Sequence, residues 1–152
     1  QDSLGTLGEL VPLDRLLAEG DFVSLHVPLT AETRGLLDAR RLDLMKPTAY
    51  LINTARAAVV DEEALYSALS SRSIAGAALD VFWHEPEIAP RWFTLDNVLL
   101  TPHLAGAADD VIEHHSSMVV EDILTLESGG IPTRTVNPEV FSRDKSREGK
   151  AR

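Results

Sequence analysis

Cysteine is absent from this 152-residue sequence, which excludes disulfides, thiol nucleophiles and cysteine-held metal clusters. Aromatic residues make up only 5%, so aliphatic side chains must build any core. No run of eighteen apolar residues occurs, which excludes a membrane-spanning helix of ordinary length. No basic-then-apolar segment of the signal-peptide kind opens the chain. A cytoplasmic protein with no membrane partner is expected. Basic residues are also few: 14 Lys and Arg stand against 24 Asp and Glu, for a formal net charge of -10. Nucleic acid is therefore not expected as a partner, because phosphate binding needs a basic face. The His and acidic residues lack the spacing that gathers metal ligands, so no metal is expected.

What is present fits about one domain. Hydrophobic residues make up 44%, enough for a core. The segment from Ser142 to Arg152 holds five Lys and Arg and two Asp and Glu. Such a tail buries too little apolar surface to offset its ordering entropy, and disorder is expected after about residue 141.

Apolar runs alternate with helical patterns. Leu13 to Glu19 predicts a short helix ended by Gly20. Phe22 to Val27, closed by Pro28, reads as a buried strand. The apolar spacing over Leu36 to Met45 predicts a helix stopped by Pro47. Further strands are expected over Ala49 to Ile52, Ile74 to Val81 and Val98 to Thr101. Asp61 is placed to cap a helix whose first turn holds Glu62 and Glu63 and whose Leu65 and Leu69 face the core. Asp109 opens a last helix with Val111, Ile112, Val119, Ile123 and Leu126 on one side, ended at Gly129-Gly130. His115 falls on that apolar side and is expected to pack. Strands alternating with helices predict an α/β fold with a parallel sheet.

In such a sheet, ligands bind outside the carboxyl ends of the strands. Three ionisable residues stand there: Arg56 after Leu51-Ile52-Asn53-Thr54-Ala55, Glu85 just past Ala78-Leu79-Asp80-Val81-Phe82, and His103 after Val98-Leu99-Leu100-Thr101-Pro102. A guanidinium grips a carboxylate, and a His beside a carboxylate trades a proton. With a hydride carrier supplied, that is equipment for reducing a 2-keto acid or oxidising a 2-hydroxy acid.

The same segments carry a resemblance. Leu25-His26-Val27-Pro28-Leu29-Thr30 with Thr33 and Gly35, Met45-Lys46-Pro47 with Ile52-Asn53-Thr54-Ala55-Arg56 and Val59-Val60-Asp61, Ile74 to Phe82 with Glu85-Pro86, and Thr101-Pro102-His103-Leu104-Ala105-Gly106 stand in the order and spacing of four motifs. Together with Val136-Asn137-Pro138 they resemble the D-isomer-specific 2-hydroxyacid dehydrogenases over roughly residues 8 to 138.

The resemblance implies a Rossmann-like doubly wound sheet, NAD or NADP as cofactor, a small 2-hydroxy or 2-keto acid as substrate, and a homodimer. It implies that Arg56 binds the substrate carboxylate and that His103 is the acid and base, paired with Glu85. Asp80 would accept a hydrogen bond from the nicotinamide carboxamide. Thr54 and Ala55 would lie along the nicotinamide, Val27 and Pro28 near its ribose, and Gly106 beside the cofactor.

Residues 57 and 58 are Ala-Ala where the family commonly has Gly-Gly. A positive φ there would strain the turn by roughly 1 to 2 kcal/mol. The sequence carries no Gly-rich phosphate turn and no ribose-holding acid after it. Residues 1–133 are therefore expected to be the second half of a cofactor domain lacking its first βαβ unit, with residues 134–152 as a C-terminal tail. Two other readings stay open: an NAD-sensing, corepressor-like binding protein on the same scaffold, and an inactive truncated fragment.

Overall fold

Pro12 precedes the first helix, α1 (Leu13–Glu19), and the Gly20 N–H closes it on the Leu16 carbonyl at 2.8 Å. The computed structural model describes residues 8–141. The expected disorder of the tail lies outside the described residues. The chain divides after Ala105 into two compact units.

In the first unit, strand β1 (Phe22–Leu25) is followed by α2 (Ala39–Leu42), β2 (Tyr50–Asn53), α3 (Glu62–Ser70), β3 (Gly76–Leu79) and β4 (Val98–Leu100). All strand pairs are parallel, in the order β1-β2-β3-β4. Register aligns Leu25, Asn53, Leu79 and Leu100 in one row across the sheet. Alternate residues take opposite faces. Val23, Leu25, Leu51, Asn53, Ala77 and Leu79 are buried, whereas Phe22, Tyr50 and Leu99 on the other face are exposed. The covered face packs with Leu17 of α1, Leu42 of α2 and Leu65 and Leu69 of α3, each buried to within 1% of full exclusion. Full burial of each such side chain contributes roughly 1.5 to 3 kcal/mol.

Asp61 caps α3 as expected, accepting the Ala64 N–H at 2.8 Å. The helix expected over Leu36 to Met45 shrinks to the four residues of α2. Asp38 caps it from Arg41 N–H, so the helix starts only at Ala39. Leu37 before it is extended and pairs with Val60 in a parallel bridge. The strands are also shorter than expected. β1 stops at Leu25 rather than Val27, and β3 covers Gly76–Leu79 rather than Ile74 to Val81.

The connection over residues 83–96 is fastened rather than loose. Trp83 stacks on buried Trp92 with ring centroids 5.5 Å apart, and Trp83 Nε1–H donates to the Val60 carbonyl at 3.1 Å. Arg91 beside them bridges Glu62 at 2.9 Å and Glu63 at 2.6 Å on α3.

In the second unit, α4 (Asp109–Glu127) ends at Gly129, whose φ of 79° suits glycine. Arg134 ties the following segment back to Glu121 and Asp122. His115 is exposed, contrary to the expected packing, as are Ile112, Val119, Ile123 and Leu126, and α4 has no buried residue.

Gly76 opens β3 where backbones crowd. A Cβ there would lie 2.5 Å from the Asn97 carbonyl oxygen and 3.1 Å from the Tyr50 ring. Gly76→Ala should therefore destabilise the fold by about 1 to 3 kcal/mol through overpacking. Urea unfolding of parent and variant measures it. Coincident transitions would show that the junction yields freely.

Candidate active site

Parallel pairing releases every strand at the same edge, and each release here is tied down by a polar side chain. After β2, fully buried Asn53 accepts the Ala55 N–H at 3.1 Å, and its amide donates to the Arg56 carbonyl at 3.1 Å. The turn carrying Arg56 is thus fixed from below. Arg56 has φ -146°, and Ala57–Val59 form a single 3-10 turn. Ala57 and Ala58 do not take positive φ, so the Ala-Ala departure carries no backbone strain. The Arg56 guanidinium is exposed and donates to the Ala55 carbonyl at 2.6 Å. It makes no salt bridge among the described residues.

After β1, Thr33 Oγ1 donates to the Pro28 carbonyl at 2.6 Å and accepts the Thr30 N–H at 2.8 Å. Gly35, at φ 63°, donates its N–H to the Ala58 carbonyl at 2.9 Å. This joins the loop after β1 to the turn after β2. Between them lies a cleft of about 600 Å³ lined by Val27, Pro28, Thr54, Ala55 and Arg56, with Leu25, His26 and Leu29. Five residues singled out in the sequence therefore share one wall.

After β3, Asp80 is buried, with 5% of its surface exposed. It accepts three hydrogen bonds: from Thr101 Oγ1 at 2.5 Å, Leu104 N–H at 2.8 Å and Ala105 N–H at 2.8 Å. Burial alone would push this carboxyl up. The Thr101 hydroxyl, the Ala105 and Leu104 N–H groups and the nearby His103 outweigh it and leave Asp80 below the usual range. A carboxylate offers about four lone-pair sites, so one remains for a further donor.

Glu85 turns back on its own loop, where Oε1 accepts the Phe82 N–H at 2.8 Å. Its Oε2 meets His103 Nδ1 at 2.8 Å. His103 has φ 55°, the left-handed region, which costs a non-glycine residue about 1 to 2 kcal/mol and persists only when neighbours hold it. Its own N–H reaches the Thr101 carbonyl at 3.0 Å. An ionised carboxylate accepts only, so Nδ1 carries the proton in this pair and Nε2 is left to hold or give another. A smaller cavity of about 130 Å³, lined by Phe82, Glu85, Pro86, Ile88, Pro102 and His103, adjoins the pair.

The structure thus brings Glu85 and His103 into direct contact and places Arg56 on the wall of the larger cleft. Gly106 begins the second unit and is exposed, with open space where a Cβ would stand. Asn53, Thr101 and the anchoring contacts of Asp80 were not foreseen. Their signal was a polar residue closing each apolar strand. No group of three metal-ligating side chains occurs among the described residues, and no helix among them is long and apolar enough to cross a membrane.

The family model for D-isomer specific 2-hydroxyacid dehydrogenase, NAD binding domain, matches residues 2–105. The chain belongs to this family. It is 48% identical over 134 residues to a glyoxylate reductase of Thermococcus onnurineus, covering 88% of the chain and 40% of that relative. A glyoxylate reductase of Korarchaeum cryptofilum is 49% identical over 134 residues, with 87% and 40% covered. This 2-hydroxyacid dehydrogenase family chain therefore spans about 40% of the length of these curated relatives. Among solved structures, the NAD-complexed D-isomer specific 2-hydroxyacid dehydrogenase of Lactobacillus delbrueckii ssp. bulgaricus superposes with TM-score 0.76 at 35% identity, covering 83% of this chain and 43% of that one. The Xanthobacter autotrophicus Py2 family member in complex with NADPH and MES gives TM-score 0.72 at 44% identity, with 85% and 53% covered.

The His103 bond, then the Phe82 N–H, hold the Glu85 carboxyl below its ordinary value, with the Arg56 charge adding to the effect. Because the folded carboxyl titrates below the unfolded one, its stabilisation is complete above the unfolded pKa and fades as pH falls through the folded value. Titration of Glu85 by carbon NMR should place it below an ordinary Glu, and His103→Ala should move it back up. Superimposable titrations of parent and variant would show that the pair does not form.

Proposed function

We propose that this chain supplies the nicotinamide side and the acid–base side of an NAD(P)-dependent enzyme that interconverts a small D-2-hydroxy acid and its 2-keto acid. The observation that carries the reading is the Glu85–His103 pair standing at the same strand edge as an Arg56 with no ion-pair partner among the described residues. Its charge is therefore left to meet an anionic ligand. The glyoxylate reductase relatives make glyoxylate the first substrate to test.

The residues present fit the nicotinamide half of the cofactor. The cleft wall of Val27, Pro28, Thr54 and Ala55 carries only small side chains, three of them apolar, which leaves room for a flat ring to lie against it. The remaining lone pair of Asp80 suits a carboxamide N–H. When bound, the reduced cofactor supplies a hydride to the keto carbon. Arg56 grips the substrate carboxylate through its planar fork and draws the adjacent carbonyl into position. His103 gives the Nε2 proton to the keto oxygen, while Glu85 holds Nδ1–H and steadies the ring. In the reverse direction His103 takes the hydroxyl proton. Gly106, just past this turn in sequence, would be a cofactor neighbour on the family pattern. The enzyme so proposed is a cytoplasmic homodimer, as composition and resemblance imply, with residues 1–133 as part of the cofactor domain and residues 134–152 as its tail.

In the full-length enzyme, His103→Ala should lower kcat for keto-acid reduction by roughly 10²- to 10⁴-fold, with NADH affinity nearly unchanged. Arg56→Ala should raise KM and lower kcat together, since its charge meets the substrate in ground and transition states. Steady-state kinetics with NADH and glyoxylate, pyruvate and hydroxypyruvate measure both. Near-parental kcat in His103→Ala would remove the acid–base reading.

A further inference from the structure

His103 sits in a left-handed backbone conformation that is unfavourable for a non-glycine residue, and the groups around it converge on one buried carboxylate. Two consecutive backbone N–H groups just past His103, those of Leu104 and Ala105, both donate to Asp80. Thr101, two residues before His103, donates its hydroxyl to the same carboxylate and accepts the His103 N–H on its carbonyl. Asp80 is itself fixed, because its N–H donates to the Asn53 carbonyl at 3.0 Å. Among the described residues, Asp80 and Asn53 are the only buried polar or charged side chains. A charge is retained at such a site only when its bonds are well satisfied.

We propose that Asp80 and Thr101 are positioning residues that clamp the left-handed turn bearing His103 and thereby aim its imidazole at Glu85. The carboxylate accepts from both flanks of the turn, and all three donors are satisfied together in the geometry observed. That geometry brings Nδ1 to 2.8 Å from Glu85. Glu85 belongs to the loop that leaves β3 just after Asp80, and its Oε1 is fixed by the Phe82 N–H. The acid–base pair is therefore held from both sides by groups within a few residues of one strand end. This role is additional to any bond from the cofactor to Asp80, and its catalytic consequence rests on the acid–base reading of His103.

Thr101→Val is the discriminating change. It keeps the shape of the side chain and the Asp80 charge, and deletes only the hydroxyl donor. In the full-length enzyme it should lower kcat by about ten- to a hundred-fold, the usual scale for a misplaced catalytic group. KM for the keto acid and the Kd for NADH, read by fluorescence, should stay within about twofold. With ¹⁵N-labelled histidine, the hydrogen-bonded Nδ1–H resonance of His103 should weaken or shift. Thr101→Ser keeps the hydroxyl and should restore both kcat and the resonance. Parental kcat and an unchanged His103 resonance in Thr101→Val would overturn the clamp. So would an equal loss in Thr101→Ser, which would put the effect in the methyl group. Asp80→Asn adds a second arm: its amide would face the Ala105 N–H donor to donor, so the resonance should change in this variant too. An Asp80→Asn variant that alters only the NADH Kd would assign Asp80 to the cofactor alone and overturn the proposal. His103→Ala separates the two readings. Its retention of kcat would defeat the acid–base role, while the resonance in the Thr101 and Asp80 variants still decides the clamp.

Discussion

Parallel pairing of β1 to β4 is the constraint from which the rest follows. Strands that run the same way end at the same edge, and each must be reached by a crossover packed on a face of the sheet. Here β1, β2, β3 and β4 follow one another in space as in sequence. The crossovers through α2 and α3 bury Leu42, Leu65 and Leu69 against the covered face. Three separate stretches of chain consequently leave the sheet side by side, at Asn53, Leu79 and Leu100. Arg56, Glu85 and His103 are far apart in sequence and stand past the same edge of the sheet because of this pairing.

Meeting at an edge is not yet a site, because loops leaving a sheet are free to wander. The chain limits that freedom with polar groups under the loops. Asn53 fixes the turn of Arg56, and Asp80 fixes the turn of His103. Burying such groups costs free energy unless each is bonded, and here the bonds run to the backbone of the strand-end loops. The desolvation cost is thereby offset by contacts that also set geometry. The stack of Trp83 on Trp92, with Arg91 locked to α3, holds the loop of Glu85 in the same way from the apolar side.

Much of this was legible in the sequence. The α/β class, α1, the Asp61 cap and the strand-end positions of Arg56, Glu85 and His103 follow from apolar periodicity and punctuation. The segment from Leu36 to Met45 misled because Leu37, Leu42 and Met45 are all buried, at 0%, 1% and 4% exposure. Burial at those intervals mimics a helix, although Leu37 faces the core from an extended bridge to Val60. His115 misled for the opposite reason: an apolar stripe on α4 announces a face that needs cover, not one that the same unit supplies. The anchoring role of Asp80 was not legible, since its donors lie 21 to 25 residues further on and two of them are backbone groups that any sequence would offer.

In the proposed reaction, Arg56 and the His103–Glu85 pair act on one small keto acid. A crystal structure of the full-length protein with cofactor and oxamate, an unreactive keto-acid mimic, decides whether they do. The expected structure has the oxamate carboxylate on the Arg56 guanidinium, its amide carbonyl oxygen within hydrogen-bond distance of His103 Nε2, and His103 Nδ1 still on Glu85. Oxamate bound away from Arg56, or a His103 ring turned from Glu85 with the ligand in place, would contradict it.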